Sequence, residues 1–453
     1  MTIFALASGR GKAGIAVVRV SGAGAAEAVR RLIRREADVE TRFPSPRQAV
    51  MRAFVDPETG EVIDRGVVLW FPAPHSFTGE DVAEFQVHGG RAVISRLASA
   101  LSSMPGIRMA EPGEFSRRAF ENGKMDLTEA EGLADLVNAE TEGQRRQAVR
   151  QLDGELGRLY EGWRRALISV MAQFETAIDF ADEELPPDLL DKGRLEMAEL
   201  RDAITAHLAD GHRGERLRDG IYCAIVGPPN YGKSSLLNAL ARRDIAIVSD
   251  RPGTTRDVLE AHLDLGGFPV IVADTAGLRE ASDEIESEGV RRALARAEAA
   301  DIRIVLCDAR RWPDIPAEVG ALIGPNTIVA VNKCDLKEVA VGQRGSGIEA
   351  PVPVCAVSAV SGEGVAALVG EMTALAEAVF DDCGPPALTR ERHRQALEGC
   401  VDYLNRALDG ERGDKELMAE DLRLAARALG RITGRVDVED ILDVVFRDFC
   451  IGK

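Results

Sequence analysis

Gly227-Pro228-Pro229-Asn230-Tyr231-Gly232-Lys233-Ser234 has the spacing G-x-x-x-x-G-K-[ST] and continues into Ser235. It stands between the apolar run YCAIV at 222–226 and the helix-forming stretch SSLLNALARR. Glycines at these places let backbone N–H groups turn toward a phosphate chain, and the following helix adds its positive N-terminal end. Lys233 supplies a point charge near β- and γ-phosphates, and Ser234 supplies a hydroxyl for Mg²⁺. Asp274-Thr275-Ala276-Gly277 closes the run FPVIVAD, where an acidic side chain reaches the Mg²⁺ shell and a glycine N–H reaches a γ-phosphate. Asn332-Lys333-Cys334-Asp335 closes NTIVAVN, and the Asp335 carboxylate can accept two N–H bonds from guanine. Adenine lacks the exocyclic amine, and a polar group left unpaired against it rejects that base. Ser358-Ala359 ends the last apolar run and completes a guanine pocket. The order of these segments predicts a GTP-binding P-loop domain.

Gly253-Thr254-Thr255-Arg256-Asp257 falls between the P-loop helix and FPVIVAD, the place of a switch loop. Thr255 there would meet Mg²⁺ and the γ-phosphate, and loss of that phosphate would release the loop. The same residues read equally as a polar turn opening a strand. After D-T-A-G many GTPases place a glutamine that orients the attacking water, but this chain has Leu278, which cannot. The acidic run Glu280, Asp283, Glu284, Glu286 and Glu288 offers substitutes, and it also has the character of a solvated helix face.

Five apolar runs, at 222–226, 268–274, 302–308, 326–332 and 352–358, alternate with helical segments and predict a mostly parallel sheet covered on both faces. Before them, residues 1–118 mix short strand-like runs (15–20, 62–71, 82–90) with the helical AAEAVRRLIRR. Residues 119–210 read as long helices, LTEAEGLADLVNAE and then RQAVRQLDGELGRLYEGWRRALISVMAQFETAI, interrupted at Pro186-Pro187. GHRGERLRDG at 211–220 reads as a polar hinge, and helical patterning returns after Pro385-Pro386. The fold expected is therefore multidomain. An α+β N-terminal domain (1–118) precedes a discontinuous α-helical domain (119–210 and 381–453), into which an α/β P-loop GTPase domain (211–380) is inserted.

Composition narrows the partners. With Lys plus Arg at 56 and Asp plus Glu at 74, the net charge of −18 repels polyanions, so a nucleic-acid partner needs a local basic surface. Arg145, Arg146, Arg150, Arg158, Arg164 and Arg165 are candidates, although each alone reads as part of a solvated helix face. Seven cysteines form no CxxC pair and six histidines show no metal-ligand spacing. The start MTIFALASGRGK lacks a basic segment followed by a long apolar one, so a reduced cytoplasmic protein without membrane spans is expected.

GPPNYGKSSLLNAL, IVSDRPGTTRDVLE, DTAGLREASDEIESEGV, GIAVVRVSG, HSFTGEDVAEFQVHGG, EPGEFSRRAFENGKMDLTEAEGLADLV and the terminal FCIGK together resemble the MnmE (TrmE) family of tRNA-modification GTPases over nearly the whole chain. The resemblance implies a G domain that dimerises across its nucleotide face and is activated by K⁺. Asn230 matches the asparagine whose side-chain oxygen binds that ion, and Ser249, Arg251 and Thr254 match the loop around it. Asp250, Pro252 and Gly253 complete the loop against GTP, with Pro252 restricting Arg251. A monovalent cation beside the β/γ bridge neutralises the charge that an arginine finger otherwise would. Glu286 matches the water-orienting glutamate. The resemblance also implies an N-terminal domain that forms the homodimer and holds 5-formyl-tetrahydrofolate or a related folate. Arg19, Glu84 and Lys124 fall on matching motifs, and Lys453 approaches the same site. By type, arginine and lysine suit an anionic glutamyl tail and glutamate suits a pterin N–H pair, though all read equally as surface charges. Cys450 matches the tail cysteine of the modification chemistry, while its apolar VVFRDFC setting equally suits an inert buried thiol.

The function so implied is a K⁺-activated GTPase acting with an FAD-dependent MnmG (GidA)-type partner. The pair adds a carboxymethylaminomethyl or aminomethyl group at C5 of the wobble uridine (position 34) of certain tRNAs, using a folate-derived carbon. Catalytic roles then fall to Glu286, Asn230, Lys233 and Cys450. The alternative is a regulatory GTPase switch in ribosome assembly without covalent RNA chemistry.

Overall fold

The computed structural model describes residues 1–9, 11–33, 43–179, 186, 188–243, 245–247, 260–274, 296–339, 352–380, 387–409, 415–436, 442, 445–446, 449 and 452. The chain divides into two compact units. One comprises residues 1–134, 151–196 and 406–453, the other residues 135–150 and 197–405.

The sheet of the first unit comprises β1 (Thr2–Leu6), β2 (Ala13–Ser21), β3 (Val50–Val55), β4 (Val62–Phe71), β5 (Val82–Gly89) and β6 (Ile107–Met109), in the order β3-β4-β5-β2-β1-β6, and along β2, β4 and β5 burial alternates with period two. Only the β1–β6 pair is parallel. Helix α1 (Ala25–Leu32) buries Ala25, Ala28, Val29 and Leu32, the three-and-four spacing of one helical face. These residues join Val18, Val20, Phe54, Val68 and Phe85 from the sheet and Leu97 and Leu101 from α2 (Arg91–Ser102) in a single core. Sequence patterning misses β1, β3 and β6, because short strands carry too few alternations to register against neighbouring loops.

The helices are α3 (Glu114–Glu121), α4 (Leu127–Asn138), α5 (Glu142–Leu152), α6 (Glu155–Asp179), α7 (Leu189–Leu208) and α8 (Arg213–Asp219). The helical stretch expected over 146–178 breaks between α5 and α6 at Gly154. Its φ of 78° is left-handed, and a Cβ there would stand 2.7 Å from Glu129 Oε1. The expected hinge at 211–220 is instead mostly α8, whose Gly214 lies so close to Leu388 that a Cβ would meet its carbonyl oxygen at 2.1 Å.

The second sheet is built from β7 (Ile221–Val226), β8 (Glu260–Leu265), β9 (Phe268–Asp274), β10 (Ile302–Asp308), β11 (Thr327–Asn332) and β12 (Val354–Val357), in the order β12-β11-β10-β7-β9-β8. Its strands are parallel except for the antiparallel edge pair β8–β9. The sequence reading omits β8, whose EAHLDL alternates buried and partly exposed residues. Along β7, Ile221, Cys223 and Ile225 enter one apolar cluster while Ala224 and Val226 enter another, so both faces are covered. The first cluster includes Leu236, Leu237 and Leu240 of α9 (Lys233–Ala241) and, beyond the short α10 (Ala317–Gly320), Leu368, Met372 and Ala376 of α11 (Val365–Phe380).

Two helices follow, α12 (Glu391–Asp409) and α13 (Lys415–Thr433). Helix α13 packs along α6, and Arg423 pairs with Glu175 at 3.1 Å. Helical segments from either side of the inserted sheet thus share one unit, which makes the helical domain discontinuous.

Candidate nucleotide site

In an open parallel sheet, ligands bind outside the carboxyl ends of the strands. Those ends here carry Gly227 after β7, Asp274 on β9, Asp308 on β10, Asn332 on β11 and Ser358 after β12. Gly232 caps α9 with a φ of 95°, and a Cβ on it would stand 2.4 Å from Asn332 Nδ2. Only glycine permits that turn. Lys233, 7% exposed, begins α9 and folds back to donate from Nζ to the carbonyls of Gly227 at 2.8 Å and Pro228 at 3.1 Å. The ammonium therefore lies across the loop. Ser234 Oγ donates to Asp274 Oδ2 at 2.5 Å, joining a hydroxyl and a buried carboxylate in an all-oxygen set suited to Mg²⁺. Ser235, Ser234 and Asn230 are exposed, and Tyr231 is buried.

The guanine motif meets this loop directly. Asn332 Nδ2 donates to Tyr231 O at 2.8 Å, and Asn332 Oδ1 accepts from Ala359 N at 3.0 Å. Lys333 Nζ donates to Asn230 O at 2.9 Å. The buried Ser358 hydroxyl accepts from Ser361 N at 3.1 Å, closing the turn after β12. Asp335 is exposed, one turn beyond Lys333. Asn230, Tyr231, Gly232, Lys233, Ser234, Asp274, Asn332, Lys333, Ser358 and Ala359 are thus gathered at one end of one sheet. Ser249, Asp250, Arg251, Pro252, Gly253, Thr254, Thr255, Thr275, Ala276, Gly277, Glu286, Cys450 and Lys453 lie outside the described residues.

One residue of this cluster escapes the sequence reading. Asp308, 3% exposed, accepts from Lys333 Nζ at 2.8 Å and from Arg310 Nη2 at 2.6 Å. The Arg310 hydrogen bond, against the opposing effect of burial, and then the Lys333 ammonium hold its carboxyl well below the usual carboxylate range. The signal for it is positional: parallel β10 and β11 end in register, Asp308 opposite Asn332, so an acid there must neighbour Lys333.

In the first unit, Arg19 of β2 and Glu84 of β5 are register partners and form a 2.9 Å ion pair. The Arg19 guanidinium lies 5.2 Å from the Phe77 ring centre and 5.8 Å from that of Phe115. Lys124 Nζ donates to Pro74 O at 3.0 Å, so Arg19 and Lys124 border the same 72–81 loop. Gly452 reaches the end of β1, where a Cβ would stand 2.2 Å from Leu6 O. The basic stretch on the helices is largely engaged within the chain. Arg145 and Arg146 pair with Glu142, Arg164 pairs with Glu161, and Arg158 and Arg165 donate to backbone carbonyls.

Thiol chemistry divides along burial. Burial pushes the Cys400 thiol up to about 12 and those of Cys307 and Cys355 up to about 11, and it raises Cys223 as well. A thiol so shifted is almost wholly protonated and unreactive at neutral pH. Labelling of the native chain with a thiol reagent at pH 8 is expected to modify no more than three of the seven cysteines, with Cys223, Cys307, Cys355 and Cys400 reached only after denaturation. Mass mapping of the labelled sites checks this, and fast modification of any of those four would contradict it.

Two family models match the chain, the "MnmE helical domain" over residues 127–450 and the "GTP-binding protein TrmE N-terminus" over residues 2–124. The tRNA modification GTPase MnmE of Parvibaculum lavamentivorans is 55% identical over 457 residues, covering 100% of both chains. That of Paramagnetospirillum magneticum is 56% identical over 452 residues, covering 100% of this chain and 99% of the relative. A human relative, the mitochondrial 5-taurinomethyluridine-[tRNA] synthase subunit GTPB3, is 47% identical over 471 residues, covering 100% of this chain and 93% of its own. Matched in family models and in whole-length relatives, the chain belongs to the MnmE family of tRNA modification GTPases.

Proposed function

We propose that this chain is a K⁺-activated GTPase that acts with an FAD-dependent MnmG (GidA)-type partner on certain tRNAs. The product is a carboxymethylaminomethyl or aminomethyl group at C5 of the wobble uridine (position 34). The observation that carries the GTPase part is the convergence of Lys233, the Ser234–Asp274 pair and the Asn332-Lys333-Cys334-Asp335 segment at the carboxyl ends of one parallel sheet. Membership of a family named for tRNA modification, and a human relative named as a synthase subunit, support the RNA substrate and the need for a partner.

In this reading Lys233 holds the β- and γ-phosphates, Ser234 and Thr255 hold Mg²⁺, and Asp335 selects guanine. Asn230 offers its amide oxygen to K⁺, with Ser249, Arg251 and Thr254 around it. A K⁺ ion held there would supply positive charge to the developing transition state. Glu286 orients the attacking water. Arg19, Glu84, Lys124 and Lys453 hold the folate, which supplies a one-carbon unit, and the half-buried Arg19–Glu84 pair beside Phe77 and Phe115 suits a flat polar ring with an anionic tail. Cys450 serves the modification chemistry, and a homodimer brings two nucleotide faces together in the cytoplasm.

Deleting the gene tests the RNA chemistry. Nucleoside analysis of tRNA from the deletion strain is expected to show the modified wobble uridine replaced by an unmodified or partly modified base. Unchanged tRNA with accumulated ribosome precursors would instead assign the chain to the switch reading.

A further inference from the structure

Among the described non-glycine residues of the site, two have backbone angles that few side chains adopt, Asn230 at φ 64° and Lys333 at φ 66°. Such conformations persist only where neighbours hold them. These two hold each other, because Lys333 Nζ donates to the Asn230 carbonyl at 2.9 Å. Beside that bond, Asn332 Nδ2 draws the Tyr231 carbonyl the same way at 2.8 Å. In a trans peptide the C=O and the following N–H point in opposite directions. Pulling the carbonyls of residues 230 and 231 toward β11 therefore turns the N–H groups of Tyr231 and Gly232 to the opposite side. A P-loop receives phosphate through such a row of N–H groups.

The ammonium that orients the first of these peptides is itself anchored. Asp308 Oδ2 accepts from it at 2.8 Å, and Arg310 holds both carboxylate oxygens, donating from Nη2 to Oδ2 at 2.6 Å and from Nε to Oδ1 at 3.0 Å. With Asp308 neutralised, Lys333 loses its charged anchor, and the Asn230 carbonyl loses the geometry of its only donor among the described contacts. We infer that Asp308 is a positioning residue that acts through Lys333 on the Asn230–Tyr231 peptide and so sets the grip of the P-loop on the β-phosphate. This inference rests on the nucleotide reading of the site. It adds that the guanine motif preorganises the phosphate cradle, with Asp308 as its fixed point.

The test separates phosphate grip from base grip in the full chain. Fluorescent GDP is displaced by GDP and by GMP from wild type, Asp308→Asn, Lys333→Met and the double variant, with melting temperatures alongside. Asp308→Asn is expected to weaken GDP by about tenfold, as for loss of one charge-assisted hydrogen bond, and GMP by less than about threefold. Because both residues act on one peptide, the GDP-to-GMP affinity ratio of the double variant should lie within about twofold of the lower single variant. An equal loss for GDP and GMP, or additive losses in the ratio, would overturn the inference and leave Asp308 a support of the base pocket or of β10. Should Asp308→Asn melt below the assay temperature, Asp308→Glu decides by the same ratio, since it keeps the charge and displaces it by one methylene. Failure of GDP to displace the probe from wild type would overturn the nucleotide reading itself, an outcome distinct from a normal wild type with an unselective variant.

Discussion

Lys233→Ala is expected to lower GTP hydrolysis by about 10²–10³-fold, the usual loss when one preorganised donor is taken from developing transition-state charge. Lys233 is buried at the first turn of α9, and two P-loop carbonyls fix its ammonium across the loop. Its position is therefore set before nucleotide arrives, and no solvent reorganisation is needed at the reacting phosphate. Alanine removes the charge and frees the carbonyls of Gly227 and Pro228. Both triphosphate affinity and turnover should fall, with diphosphate affinity falling less because the γ-phosphate contact is absent there. Titration with a fluorescent GTP analogue and single-turnover hydrolysis separate the two, and a variant within about fivefold of wild-type turnover would remove Lys233 from the chemistry.

Asp335→Asn is expected to weaken GTP by at least about 10²-fold while creating affinity for XTP. A carboxylate only accepts hydrogen bonds, which suits the N1–H and the 2-amino group of guanine. Xanthine keeps N1–H and carries a carbonyl at C2, against which a carboxylate is repelled and an amide N–H can donate. The exposed position of Asp335 beyond Lys333 leaves its side chain available for a base edge, while the buried Asn332 is committed to Tyr231 and Ala359. Competition between GTP and XTP on the variant measures the exchange. Unchanged preference for GTP would place base selection elsewhere.

The phosphate loop is legible in the sequence because its chemistry demands particular residue types at fixed offsets between a strand and a helix. Helical period likewise announces α6 and α13, although not that Gly154 ends the preceding helix, since one left-handed glycine barely disturbs the periodicity around it. Strands β1, β3 and β6 escape because they carry too few alternations to distinguish from loop, whereas β8 escapes although EAHLDL alternates, and β8 alone makes the second sheet depart from purely parallel pairing. Asp308 escapes for a different reason. Its partner lies 25 residues away, and only the register of β10 against β11 brings them together. The ion pair of Arg19 and Glu84 is likewise a product of β2–β5 register across 65 residues. Local chemistry is written in spacing, whereas chemistry shared between strands requires the pairing to be known.

The proposed K⁺ activation is tested by steady-state GTP hydrolysis in KCl and in NaCl at equal ionic strength, with wild type and Asn230→Ala side by side. A fast rate is expected in K⁺ alone and is expected to be lost in Asn230→Ala, because that variant removes the amide oxygen proposed to hold the ion and keeps the Lys233 contacts. Equal slow rates for wild type in both salts would contradict it.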